Sequence, residues 1–498
     1  MNLFRASLAT FVASILFLGL GLTTLLRKVR YPALQSVVHR DWHPKERKDR
    51  FPSVDERVKL YMSDWYLPPC DASFRFGYKV TPSSESLEYT TVDIQQPKLD
   101  GANLGDTDKL RISSEPIHHK CLFVQNSTIL ADCADGKFHH YKGMCSDLAK
   151  DAKILAVDMP GTPVLTYLGD SAPDHLALKE GVRAPYLAKY RAASSKKDLL
   201  GVTTFGTRNC ISAENRSRLR WSSLHREEFE RMSSAQDTPL VFAPIIWKLE
   251  SERHFGPHLS NVTKNVAAWE NKIPKAIWRG ALTGGLVQGA PKGIEGAQQS
   301  CPYIPRCNFV QRYINASDTM DVGLVGGGKR AISIWAQENG MNKDKMTIKE
   351  QLQYKILVSL EGNDVTSGLK WMLLSNSVVL MPPPTLTSWA MEELLEPFVH
   401  YVPMAEDGSD AEEKVQWILD NDMEAQRIAE RATLFMEDML YHPDAEKDEL
   451  EVKKEIVRRY RAHWQPIGKN FFSFGAFWGL EFCGLSTGHT YFDFLLFL

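Results

Sequence analysis

At 498 residues, with 43% hydrophobic and 24% charged side chains, the chain is long enough for two globular domains with cores of their own. Its formal net charge of −2 carries no polyelectrolyte signal, which argues against nucleic-acid binding through a broad basic surface. The 8 cysteines form no CxxC pair, which argues against zinc ribbons.

Residues 7–26 are apolar or small and carry no charge. As a helix this run would rise about 30 Å, enough to span a hydrocarbon core. Arg5 precedes it, and Arg27, Lys28 and Arg30 follow it. A cleaved signal peptide would have a shorter apolar region and a small-x-small site, and residues 23–27 make a poor one. The reading is an uncleaved signal anchor over 1–30 and a stem over 31–53. Asn126, Asn215, Asn261 and Asn315 each open a glycosylation sequon. Cys121, Cys133 and Cys145 are spaced for local disulfides in an oxidising lumen. Together these features predict a single-pass type II protein of the Golgi or endoplasmic reticulum membrane, with the bulk of the chain luminal.

Residues 54–62 begin the ordered part as a helix, and 82–106, rich in Ser, Pro, Gln and Asp, read as a surface loop. Strands are predicted at 154–158 and 164–168, flanking Pro160-Gly161, and at 240–243 between prolines. Asp170 follows the second of these strands. A carboxylate there can act as a general base in a cleft, or simply cap the turn, and Asp158 has the same local setting. A domain boundary is placed near Asn265.

Residues 275–278 read as a strand, and 279–285 as a Gly-rich loop headed by Arg279. Glycines admit a phosphate to the backbone and arginine binds one bidentately, but there is no Walker motif and no GxGxxG. Arg306 and Arg312 are further cationic candidates. Residues 356–360 read as a buried strand, broken by Glu361-Gly362-Asn363-Asp364. Thr366 and Ser367 are expected to cap a helix bearing Leu369, Met372 and Leu373, before a second strand at 377–381. Ligands of open α/β sheets bind beyond the carboxyl ends of strands, so this loop is the predicted pocket for an anion. On its own, the stretch favours a plain βαβ connection with no ligand.

Residues 398–403 suggest another strand, with His400 a packed or solvent-edge histidine and not a catalytic one. Asp410-Ala411-Glu412-Glu413 has the form of a capping box, and Val415, Ile418 and Leu419 have helical spacing. Ile428, Ala432, Phe435 and Met439 continue a core-facing stripe. Asp420-Asn421-Asp422 is formally a DxD, but it lies between helices and reads as capping. Residues 444–464 form a charged amphipathic helix, and the aromatic tail after 471 is too short and mixed for a second membrane span.

Trp278-Arg279-Gly280, Tyr354-Lys355, Glu361-Gly362-Asn363, Leu369-Lys370-Trp371, Leu374-Ser375-Asn376-Ser377-Val378-Val379 and Val399-His400-Tyr401-Val402-Pro403 occur in this order. Together they resemble glycosyltransferase family 90, which includes the fungal capsule-associated xylosyltransferases and the Rumi-type protein O-glucosyltransferases. The likeness is strong over 269–436 and weak before Pro160. It implies an α/β GT-B fold of two Rossmann-like domains facing a cleft, here behind an N-terminal transmembrane helix. An acceptor domain would occupy 54–265, a nucleotide-sugar domain 266–440, and a C-terminal helix and aromatic tail 441–498.

The resemblance also implies a function: transfer of glucose or xylose from a UDP-sugar to a protein or glycan hydroxyl, inverting, with no metal and no cofactor. Ala281 falls where the glucosyltransferases have a donor-contacting serine, and Arg306 aligns with a phosphate-binding arginine. The donor-binding loop falls on 363–368, which includes Asn363, Asp364, Thr366, Ser367 and Gly368. Gly368 stands where the family often has arginine, a charge that Arg279 or Arg312 would have to replace. Asp170 maps to the catalytic aspartate. In this scheme Arg306 with Thr366 and Ser367 binds diphosphate, and Glu361 with Asn363 supports the loop and meets ribose or sugar. The alternative is a non-catalytic, lectin-like or interaction protein on the same fold.

Overall fold

The computed structural model describes residues 51–70, 184–193, 244–249, 258–286, 296–316 and 318–467, with short stretches between 72 and 167. The predicted anchor at 7–26, Asp158, Asp170, the strand at 240–243 and the tail after 471 lie outside the described residues. Among the described residues, no helix is long and apolar enough to cross a membrane.

Ser53 and Glu56 cap the first described helix, α1 (Val54–Met62), reciprocally: Glu56 N–H donates to Ser53 Oγ at 3.3 Å, and Ser53 N–H to Glu56 Oε2 at 2.8 Å. Strands β1 (Phe76–Thr81), β2 (Thr91–Gln95) and β3 (Lys109–Ile112) run antiparallel in turn. A second sheet joins β4 (Lys120–Phe123), β5 (Val164–Tyr167), β6 (Leu187–Ala188) and β8 (Ile245–Ile246), while β7 (Tyr190–Ala192) pairs elsewhere. Helix α2 (His258–Asn265) leads into the second half.

That half is a parallel sheet with helices on both faces. In chain order it contains β9 (Ile273–Gly280), α3 (Ala297–Ser300), α4 (Pro305–Tyr313), β10 (Met320–Leu324), α5 (Ala331–Glu338), α6 (Ile348–Gln351) and β11 (Tyr354–Val358). It continues with α7 (Leu369–Leu373), β12 (Val378–Met381), β13 (Leu386–Ser388), β14 (Val402–Pro403), α8 (Ala411–Asp420) and α9 (Asp422–Leu440). The sheet order is β10-β9-β11-β12-β14, every pair parallel, while β13 leaves it to pair with β7.

Strand segments buried on both faces must be apolar, which is why Ile356–Val358 and Val378–Met381 read as unbroken hydrophobic runs. Ala276, Trp278, Val322, Ile356, Val358, Val378 and Leu380 pack on one side, with Phe309 and Val310 of α4, Val415 and Ile418 of α8, and Ile428 of α9. Ile277, Leu357, Val379 and Met381 pack on the other, with Leu259 and Val262 of α2, Leu373 of α7 and Met436 of α9. Each such fully buried aliphatic side chain contributes about 1.5–3 kcal/mol.

The chain then returns to its start. Helix α10 (Ala445–Ala462) packs on α1, and β15 (Trp464–Pro466) lies parallel to β1 with Phe76 opposite Trp464. Val452, Ile456 and Tyr460 share one core with Val58, Tyr61 and Trp65.

Several local expectations are corrected. Helix α7 has Gly368 as its N-cap and no side-chain cap, so Thr366 and Ser367 do not cap it. Asp410 is the N-cap of α8 but its carboxylate turns back to accept Ala405 N–H at 2.7 Å, so no capping box forms. Residues 398–401 form a turn closed by Phe398 N–H on the Tyr401 carbonyl at 2.7 Å, and only Val402–Pro403 joins the sheet. Ile154 is helical, where a strand was predicted. In the DxD, Asp422 accepts from Lys355 at 2.5 Å and from the Trp269 indole at 3.0 Å, which fastens α9 to the sheet. Of the two settings open to His400 the structure has the packed one: it is buried, and its Nδ1 accepts from Glu396 N–H at 3.0 Å.

Candidate active site

In the order β10-β9-β11, the chain steps from β9 to one side and then crosses back to the other. The loops leaving the carboxyl ends of β9 and β11 must part there, and a crevice opens between them. A cavity of about 800 Å³ occupies this region, within the usual range for ligand pockets. Its walls come from 278–281, Thr283, Arg306, 345–349, Gln351, Leu352, Leu360 and the loop 362–368, with Trp371 and Met372 of α7.

Arg306 holds the two loops together. Pro305 opens α4, and the Cys301–Cys307 disulfide, buried at both ends, clamps the turn that presents Arg306. The guanidinium donates to the Ala281 carbonyl at 3.1 Å and Thr283 Oγ1 at 2.6 Å on the β9 side. On the β11 side it donates to the carbonyls of Leu360 at 2.7 Å and Glu361 at 3.1 Å. Burial pulls its pKa down to about 10, against the upward pull of Asp364 and Glu361, so it stays protonated at neutral pH. Asn363 adds a further tie, its Oδ1 accepting Gly284 N–H at 2.8 Å.

The other predicted residues divide. Ala281, Asn363, Asp364, Thr366, Ser367 and Gly368 all line the cavity. Glu361 does not: its carboxylate accepts the Thr385 and Leu386 N–H groups, each at 3.1 Å, and the Thr385 hydroxyl. Burial raises its pKa, and the Thr385 bonds pull the other way. Arg279 lines the cavity, but its guanidinium is paired with Asp321 at 2.8 Å. Burial pushes the Asp321 carboxyl up, yet its bonds to Lys343 and Arg279 hold it below its ordinary range. Arg312 meets Asp407 at 3.5 Å and is not part of the lining. Asp170 lies outside the described residues. No group of three or more His, Cys, Asp or Glu side chains converges among the described residues.

Three residues not singled out from the sequence belong to this region. Lys189, from the bend between β6 and β7, pairs with Asp364 at 2.9 Å and brings the first half of the chain to the loop. Lys345 and Lys349 are exposed on the cavity wall. The sequence marks their segment only indirectly, through the Thr347-Ile348-Lys349-Glu350 capping box that starts α6.

Residues 255–445 match the family model described as Glycosyl transferase family 90. Over these residues the chain is similar to that family. Every residue that lines the cavity lies within the matched region. The chain is similar to O-glucosyltransferase LpsA of Dichelobacter nodosus, at 32% identity over 34% of this chain and 44% of that protein. Protein O-glucosyltransferase 3 of Homo sapiens is 27% identical over 39% of this chain and 34% of its own length. An uncharacterized protein, 179R, of Invertebrate iridescent virus 6 is 27% identical over 34% of this chain and 16% of its own length. The matched region spans less than half the length of each of these relatives. Within the matched region, Arg306, Asn363 and the rest of the 363–368 loop line one cavity, while the Glu361 carboxylate is turned onto Thr385.

Proposed function

We propose that this chain is a glycosyltransferase that moves glucose or xylose from a UDP-sugar to a hydroxyl of a protein or glycan. The observation that carries this reading is the cationic cavity at the strand crossover of the region similar to family 90. The names of the relatives LpsA and Protein O-glucosyltransferase 3 support it. In the two-domain GT-B arrangement, residues 54–265 bind the acceptor and 266–440 the donor. The run at 7–26 anchors the protein in the Golgi or endoplasmic reticulum membrane with both domains in the lumen.

The acceptor oxygen attacks the anomeric carbon as the bond from that carbon to the diphosphate breaks. UDP leaves with the electron pair, and the configuration inverts. Negative charge grows on the departing diphosphate, so fixed positive charge in the cavity lowers the barrier. A carboxylate takes the acceptor proton, a role assigned to Asp170 on the family resemblance alone. Asp364, paired with Lys189, and Asn363, tied to Gly284, keep the donor loop in one shape.

A non-catalytic, lectin-like reading draws on Gly368, which leaves the loop without the arginine common in the family. UDP release separates the two. The full chain in detergent is expected to be stabilised thermally by UDP-glucose or UDP-xylose, and to release UDP when an acceptor is present. Binding without release favours the lectin-like reading, and absence of stabilisation by any UDP-sugar ends the proposal. Asp170→Asn is expected to abolish transfer and keep UDP binding; normal turnover in that variant removes Asp170 from the role.

A further inference from the structure

A guanidinium has five N–H donors in a rigid plane. Arg306 uses four, one on each of Ala281, Thr283, Leu360 and Glu361. Arg279 donates to the carbonyls of Trp278, Asp321 and Asp344, and its charge is matched by the Asp321 carboxylate at 2.8 Å. Arg279 cannot turn a fork of donors toward a ligand without releasing the backbone it holds, and Arg306 keeps one N–H free, with a second only if the Thr283 hydroxyl lets go. Lys345 and Lys349 differ. Both are exposed on the cavity wall, and neither amine has a hydrogen-bond or ion-pair partner among the described residues. Glu350, the carboxylate beside Lys349, is turned onto Thr347, with N–H and Oγ1 at 2.6 and 2.8 Å. Asp344, beside Lys345, offers its carbonyl to Arg279 and does not line the cavity.

We propose that Lys345 and Lys349 add charge that holds the ligand's phosphate groups, beside Arg306, which also braces the two loops. The assignment rests on the nucleotide-sugar reading above. An ammonium on a flexible stem carries three rotatable donors and reaches a phosphate as a point charge. It can follow the diphosphate as it departs, while the brace keeps the cavity walls fixed.

Calorimetric titration of the full chain with UDP and with uridine tests this. Lys345→Ala with Lys349→Ala is expected to weaken UDP by roughly 10- to 100-fold per lysine, the range for a charged hydrogen bond, with uridine affinity and thermal midpoint unchanged. Arg306→Gln is expected to weaken both UDP and uridine and, unlike the lysine changes, to lower the midpoint. Wild-type UDP affinity in the double lysine variant overturns the assignment, as does an equal loss for uridine. A wild-type protein that binds neither UDP nor uridine refutes the nucleotide reading itself. Inorganic pyrophosphate then decides the lysines: binding lost in the double variant supports them, and binding that is unchanged, or absent from the wild type, overturns them.

Discussion

A Cβ placed on Gly362 would lie 2.9 Å from the guanidinium carbon of Arg306 and 2.6 Å from Thr283 Oγ1. The loop after β11 therefore touches the arginine that joins it to β9, and only a residue without a side chain fits. Gly362→Ala is expected to part the loops and destabilise the protein by about 1–3 kcal/mol, as overpacking does. UDP affinity falls with it. Chemical denaturation beside a UDP titration measures both, and an unchanged midpoint would show that the brace yields freely.

Gly368 is a different case. Its φ of −68° is open to any residue, and an added Cβ would meet only side chains, Trp371 Nε1 at 3.2 Å and Met372 Cε at 3.3 Å. Gly368→Arg is accordingly expected to fold and to bring a mobile cation to the cavity wall. UDP should bind about tenfold tighter, with uridine unaffected. A fall in UDP affinity would mean that Trp371 and Met372 cannot give way.

The Lys189–Asp364 pair has side chains only 3% and 16% exposed, so removing one partner strands the other. Lys189→Met leaves the Asp364 carboxylate unpaired on the cavity wall, where it repels a diphosphate. UDP affinity is expected to drop at least about tenfold. Adding Asp364→Asn should recover most of the loss, because the repelling charge is gone. A double variant no better than the single one would place the effect in packing.

Lys272 is 3% exposed and donates to the Leu352 carbonyl and Ser377 Oγ, both at 2.8 Å, with no carboxylate partner for its amine among the described residues. Burial lowers its pKa from 10.5 to about 7. Between these two values the unfolded chain binds a proton that the folded chain has shed, so stability rises with pH. The thermal midpoint is expected to climb from pH 7 toward pH 9 relative to that of Lys272→Met, which lacks the titrating amine. Parallel pH profiles for the two proteins would remove Lys272 as the cause.

Much of the second half was legible from short-range pattern. Buried strands such as Val378–Met381 need unbroken apolar runs, and Ile428, Ala432, Phe435 and Met439 repeat at the spacing of α9. Turn residues at 361–364 marked the loop that lines the cavity. Failures came where a polar side chain had competing partners. Asp410 turned to Ala405 instead of closing a capping box, and Glu361 turned to Thr385 instead of the cavity.

The residue pattern alone marked this half as strands alternating with helices and marked the loop that lines its cavity, because periodicity and turn chemistry act over a few residues. The tertiary structure decided which charges are available there. Arg306 is occupied by carbonyls up to 55 residues away, and Lys189 reaches Asp364 across 175. A chain read in one dimension shows how many cations it has; only folding settles which of them meet a backbone carbonyl or a carboxylate and which remain for a ligand.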